Sequence, residues 1–277
     1  MGLVLALAAA TLYGTGDFAG GLLSRRFGSI RVNLIGCLSA ATVSWLALAV
    51  SSGPGPKGVA LLWGLIGGIG GGVGTLFLYR GLGRGRMSVV GPVSAVGAAV
   101  VPAITGVLLG DQITALAAIG IVLAVPAIAL TAASSHAAES RQTSGLSDGV
   151  IAGIGFGLMF IALARAGSES GLWPLVCEQT SSALFVVMIA VASRERLAMR
   201  RGDIGWPVVV GVSGMAASLL YFAATHVAPL AIVAVVTSLY PGVTVLLARV
   251  LGHERFSTAQ RAGLGLCALA VVAIALN

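Results

Sequence analysis

The chain has 277 residues, 57% of them hydrophobic and 9% charged, with a formal net charge of +7. A soluble domain carries about 25% charged residues, and nine acids with sixteen bases cannot clothe a water-exposed surface of this size. The mean hydropathy of +1.02 excludes a soluble globule and indicates an integral membrane protein. The 40 glycines agree, because small residues let membrane helices approach closely.

Apolar runs occupy residues 2–23, 32–51, 58–79, 87–109, 113–132, 146–165, 172–193, 204–224, 228–249 and 257–276. Each is close to the roughly 20 residues that a spanning helix needs. Within lipid every backbone polar group must be paired inside its own segment. A barrel would show alternating apolar and polar positions, which these runs lack. The expected fold is therefore an all-α integral membrane protein of ten transmembrane helices, with no room for a folded soluble domain. The first run lacks a basic leader and continues past residue 10, so it reads as a membrane helix and not as a cleaved signal.

The turns between runs are unequal. Those after odd-numbered runs hold Arg25, Arg26, Arg31, Arg80, Arg84, Arg86, Arg141, Arg194, Arg196, Arg200, Arg201, Arg249, Arg255 and Arg261, and those after even-numbered runs hold only Lys57 and Arg165. Positive charge collects on the cytoplasmic side, so the odd turns are expected there and both termini outside. In a soluble chain a pI near 10.2 would suggest nucleic acid. Here the bases sit between apolar runs and report topology, so no nucleic-acid partner is expected. Cys37, Cys177 and Cys267 are too far apart for a metal-ligand pattern or a disulfide framework. No metal and no cofactor is expected.

The sequence repeats itself at an offset of 143 without a gap. Trp63 falls on Trp206, Gly68 on Gly211, Gly71 on Gly214, Gly14 on Gly157, Gly28 on Gly171 and Gly120 on Gly263. Val107-Leu108 falls on Val250-Leu251, and Asp111 on Glu254. Residues 1–132 and 146–277 are thus two five-helix repeats, joined by a polar linker at 133–145. Five is odd, so the second repeat enters the membrane upside down. Such inverted repeats are the architecture of many secondary transporters, which hold substrate near the midplane between the repeats.

The stretch from Val227 to Ser257, with Val227-Ala-Pro at its start, Thr237-Ser-Leu-Tyr-Pro-Gly242 in its middle and Gly252-His-Glu-Arg-Phe-Ser257 at its end, resembles the ninth-helix signature of the drug/metabolite transporter superfamily. More narrowly, it is similar to the EamA-type ten-helix branch. Met87-Ser-Val-Val-Gly-Pro-Val-Ser94 and Gly110-Asp-Gln-Ile-Thr114 are a weaker echo in the first half. The resemblance implies two five-helix bundles around a central cavity, with helices one, three, four, six, eight and nine around it and the fifth and tenth at the periphery. The first half departs from the pattern, because Gly97-Ala98 stands where the second has Tyr240-Pro241.

Acids at membrane depth are costly and mark function. Two runs carry one, at Asp17 and Glu178. Tyr13, Asp17, Gly20, Gly21 and Ser24 share one helical stripe. A carboxylate on that stripe can bind a cation or take up a proton, or it can be a structural acid capped by Arg25 or Arg80. Glu178 has Gln179, Ser181 and Ser182 beside it and is either functional or solvated near the outer surface. Tyr79, Ser94, Tyr221, Thr237, Ser238 and Tyr240 complete the candidate substrate-binding and coupling residues. Pro92, Pro102 and Pro241 are candidate gates, since a proline inside a helix removes a backbone hydrogen bond. Trp63, Trp173 and Trp206 lie near helix starts as interfacial anchors, and Trp45 is an anchor or a packing residue.

The expected function is secondary transport of small metabolites, amino acids or drugs, in the export direction. Alternating access would move the solute, and protonation of Asp17 would couple it to proton entry. The expected setting is a bacterial plasma (inner) membrane, as a monomer in the lipid bilayer with a small-molecule substrate. An uncoupled facilitator and a flippase for lipids or lipid-linked sugars are alternatives on the same fold. Gly14-Thr-Gly-Asp17 also matches the string of intramembrane aspartyl proteases, but that chemistry needs a second carboxylate sharing the proton. Asp111, Asp148 and Asp203 all fall at helix ends. No catalytic residue is assigned.

Overall fold

The computed structural model describes residues 1–84, 87–131, 143–194, 199–252 and 257–275, and among these there is helix, turn and loop but no strand. The helices are α1 (Gly2–Phe27), α2 (Ser29–Val50), α3 (Gly58–Gly83), α4 (Met87–Leu108), α5 (Ala115–Thr131), α6 (Thr143–Arg165), α7 (Trp173–Ser193), α8 (Gly205–Thr225), α9 (Leu230–Thr237), α10 (Tyr240–Gly252) and α11 (Thr258–Ala275). Among the described residues, six helices are long and apolar enough to cross a membrane, and shorter apolar helical stretches lie in the remaining predicted runs. The chain is a multi-pass membrane protein. Residues 133–142 of the predicted linker lie outside the described residues, as do Arg86, Arg141, Arg196 and Arg255. The linker's last three residues belong to α6, which starts at Thr143.

The ninth predicted run is not one helix. α9 ends at Thr237 and α10 begins at Tyr240. Pro241 has no N–H to reach back to Thr237, so the regular ladder cannot continue there. The turn tightens instead, with Leu239 N bonded to Val236 O at 3.2 Å and Gly242 N to Leu239 O at 2.9 Å. α9 is buried along its whole length, and Asp111 Oδ2, from the turn after α4, accepts from Ala231 N in its first turn at 2.8 Å.

First-half helices pack chiefly on second-half helices. α1 lies on α8 and on α9 and α10, α2 on α7 and α8, α3 on α6 and α7, α4 on α6 and α9, and α5 on α11. Glycine makes these approaches possible. A Cβ on Gly70 of α3 would stand 2.7 Å from Gly155 O of α6, and one on Gly155 would stand 2.7 Å from Gly70 O. The backbones touch where any side chain would hold them apart, so dispersion contacts replace the missing hydrophobic driving force between helices in lipid.

Ion pairs sort the turns into two faces. Arg26, after α1, pairs with Asp203, before α8, at 3.6 Å. Arg80 and Arg84, at the end of α3, pair with Asp148 near the start of α6. Lys57, before α3, pairs with Glu169, after α6, and its backbone N donates to Ser170 Oγ at 3.0 Å. The exposed Glu169 carboxyl is held below its ordinary range by that lysine. Odd turns meet odd turns and even meet even. The arginine-rich face thus also gathers Asp148 and Asp203.

A Gly155→Leu variant is expected to lower the unfolding temperature in mild detergent, through an overpacking cost of about 1–3 kcal/mol or more. Differential scanning fluorimetry on purified protein measures it. Gly214→Leu serves as control, because a Cβ there meets nothing within 4 Å.

Candidate functional site

Between the halves lies a cavity with about 780 Å³ of empty space, counted out to where it meets solvent. Its wall is built by α1 (Leu12, Tyr13, Gly16, Asp17), α2 (Asn33, Gly36, Cys37, Ala40), α3 (Gly71, Thr75, Tyr79), α6 (Phe156, Met159, Phe160), α7 (Glu178, Gln179, Ser182), α8 (from Val210 to Ser218) and Tyr240 of α10. Glycines on α1, α2, α3 and α8 supply the hollow, and aromatic rings face it from α1, α3, α6 and α10.

Tyr13 donates to or accepts from Ser218 Oγ at 2.9 Å, joining α1 to α8, and its ring lies 6.1 Å from that of Phe160. Phe160 stacks on Tyr221 at 4.3 Å, and Tyr221 Oη donates to Phe160 O at 3.1 Å. On α2, Cys37 Sγ lies 3.4 Å from Asn33 Oδ1 and 3.6 Å from Ser182 Oγ of α7. Tyr240 Oη and Ser94 Oγ are 3.1 Å apart, which ties α10 to α4 behind the wall. Tyr79 lies against Gly20, where a Cβ would come within 2.9 Å of three ring and hydroxyl atoms.

The two carboxylates sit at different depths. Asp17 is 15 residues into α1 and Glu178 five residues into α7. Both helices start on the even-turn face, so at 1.5 Å per residue the two lie about 22 Å and about 8 Å along their helices. Asp17 is half-buried and within electrostatic reach of Tyr79 and Tyr240. Glu178 is 3% exposed, and Tyr13 is reached by both acids. Arg25 Nε donates to Leu82 O at 3.4 Å, and Arg80 Nε to Asp148 Oδ1 at 3.1 Å. Neither arginine caps Asp17.

Of the sequence candidates, Tyr13, Asp17, Tyr79, Glu178 and Tyr240 line the cavity. Ser94 and Tyr221 stand behind it. Thr237 and Ser238 are fully buried beside the α9–α10 break, outside the lining, and their hydroxyl oxygens have no hydrogen-bond partner. Pro102 is buried within α4, Pro241 opens α10, and Pro92 is within α4 with its side chain outside the described residues.

The implied ring of lining helices needs correction. α2 and α7 contribute to the wall, and α4 supplies no lining residue among those described. α4 is screened by Tyr240, whose phenol occupies the space in front of Ser94. Glu178 is not solvated at the outer surface, because α2, α3 and α6 close over it. Asn33, Ser218 and Phe160 were not singled out in the sequence. Asn33 carried a signal, as an amide inside an apolar run.

The model of the family described as EamA-like transporter family matches residues 1–133 and again residues 143–276. No curated protein matches the chain. A solved structure titled only "Crystal structure of protein" superposes with a TM-score of 0.76 at 14% identity, over 99% of this chain and 96% of that one. That similarity extends over the entire helical arrangement.

The Tyr240–Ser94 bond is expected to be worth about 1 kcal/mol of stability. Tyr240→Phe and Ser94→Ala should each lose about that amount, and the double variant no more than either. Equilibrium unfolding of the three proteins in detergent reads the coupling.

Proposed function

The chain belongs to the EamA-like transporter family, and we propose that it is a secondary transporter that exports small metabolites, amino acids or drugs across the plasma membrane by alternating access. The observation that carries this reading is the cavity walled by helices of both halves, with the uncapped Asp17 in its lining.

The two halves are read as inverted five-helix repeats, 1–132 and 146–277. The family model fits each half separately, starting at residues 1 and 143, close to the offset of the matched tryptophans and glycines. Helix contacts support the same pairing. α1 against α8 answers α6 against α3, α1 against α9 and α10 answers α6 against α4, and α2 against α8 answers α7 against α3. Exchanging each helix with its counterpart in the other half leaves these contacts in place. Two equivalent packings of similar energy are what a rocking transition needs. The interruption between α9 and α10, with Pro241 at its edge, is a local hinge for that motion.

Export is the direction taken in this reading, with the arginine-rich face in the cytoplasm and Asp17 nearer to that face than Glu178. Asp17 is the coupling residue in this reading. It has no arginine partner and borders the cavity, so it can be charged in one access state and protonated in the other. Proton entry then drives solute exit. The protein binds lipid around its apolar perimeter and works as a monomer.

Reconstituted protein, screened with labelled metabolites, is expected to move its solute faster when a pH gradient is imposed. Asp17→Asn should reduce the gradient-driven rate to the gradient-free rate while leaving solute exchange intact. Equal rates with and without a gradient in the native protein would favour an uncoupled facilitator. Movement of lipid and of no soluble solute would favour a flippase.

A further inference from the structure

Six acids fall among the described residues, and four have partners at the helix ends. Asp111 accepts from Ala231 N, Asp148 pairs with Arg80 and Arg84, Glu169 with Lys57, and Asp203 with Arg26. Asp17 and Glu178 lack an ionic partner, and both line the cavity. The described lining contains no Lys, Arg or His. The described lining therefore sets two carboxyl groups in one cavity with no basic side chain beside them.

Glu178 is the more demanding of the two. It is 3% exposed, and its Oε2 has no hydrogen-bond partner. α3 meets it with glycine. A Cβ on Gly67 would stand 3.6 Å from its Cγ, and one on Gly71 would stand 3.3 Å from its Oε1. The helix offers no donor from those positions, and the apolar Met159 and Ala162 of α6 pack there, 3.0 and 3.2 Å from the Cβ positions of Gly71 and Gly67 respectively. A buried carboxylate without a partner is costly, and within a membrane such a group marks a place where a charge is received. Tyr13, Phe156 and Phe160 line the same hollow, and aromatic rings attract cations while accommodating an apolar body.

We propose that the cavity is a receptor for an organic cation, with Glu178 holding a protonated nitrogen and Tyr13, Phe156 and Phe160 holding the apolar part of the same molecule. This names the substrate class of the transport site, and it rests on the transport reading only for the claim that the bound molecule moves. Anions are repelled by both carboxylates. A neutral isostere fills the hollow but leaves Glu178 without its counter-charge.

The test uses the full chain in phosphatidylcholine nanodiscs, with empty nanodiscs as the blank. Two matched sets of ligands are titrated by calorimetry, phenylethyl and hexyl, each as amine, alcohol and carboxylate. The amines are expected to bind about tenfold or more tightly than the alcohols, because only they make a charge-assisted hydrogen bond, and the carboxylates are expected not to bind. E178Q should remove the amine advantage and leave alcohol affinity unchanged, with an unfolding temperature at or above that of the native chain. Alcohol or carboxylate binding as tight as the amine overturns the proposal, and this comparison needs only native protein. An amine advantage that survives E178Q also overturns it. Amine binding without any amine transport would sink the transport reading and leave the cation receptor. Gradient-driven transport of other solutes without any amine preference would do the reverse.

Discussion

A charge carried into a lipid-facing bundle must be paired, wetted or spared by protonation, and that constraint organises this molecule. At the two ends of the bundle the described acids are joined to bases or to a helix terminus. Asp148, 1% exposed, takes Arg80 and Arg84 from another helix, and Asp111 takes a backbone N–H of α9. In the middle the rule changes. Asp17 and Glu178 have no basic partner, and both stand where the helices leave a hollow between them. The hollow is what makes those charges tolerable, since water or a ligand can reach them.

The same glycines that allow the hollow also allow the tight seams around it. Gly70 against Gly155, and Gly97 against Gly153, bring backbones of opposite halves together. Gly16, Gly36, Gly71, Gly211 and Gly214 leave the wall of the cavity thin. Packing of this kind has shallow, smooth surfaces with few interlocking side chains. Hydrogen bonds cross between the halves at depth, as in Tyr13–Ser218 and Ser94–Tyr240, and exposed ion pairs join them at the ends, as in Arg26–Asp203 and Lys57–Glu169. Exposed ion pairs of that sort are worth about 0–1 kcal/mol, weak enough to exchange during a conformational cycle. The α9–α10 break adds a point of bending within the bundle.

Much of the fold could be read from the chain, because lipid demands long apolar segments and the turns between them keep their charges. Pro241 was legible as a hinge in the ninth run, but the same signal at Pro92 and Pro102 left α4 continuous, so the break at Ser238–Leu239 depends on how its neighbours pack. The lining was less legible. Every face of these helices is apolar, so periodicity does not tell which face meets lipid and which meets the hollow. Asp17 and Tyr13 could be placed because they share a stripe with Gly20 and Gly21. α2 was missed because Asn33 and Cys37 are single polar residues in an apolar run, and their partner Ser182 lies far along the sequence. Asp148 looked like an ordinary helix-end acid for the same reason, since Arg80 is 68 positions away.

The central claim is that the carboxylates face a hollow that aqueous solutes enter from between the halves. Cys37 lines that hollow beside Asn33 and Ser182, and it reports on entry directly. In a C177S/C267S background, reconstituted into nanodiscs so that both faces are open, a small membrane-impermeant thiol reagent is expected to modify Cys37 in the folded protein. A Cys37 that stays unmodified until the protein is unfolded would contradict the account.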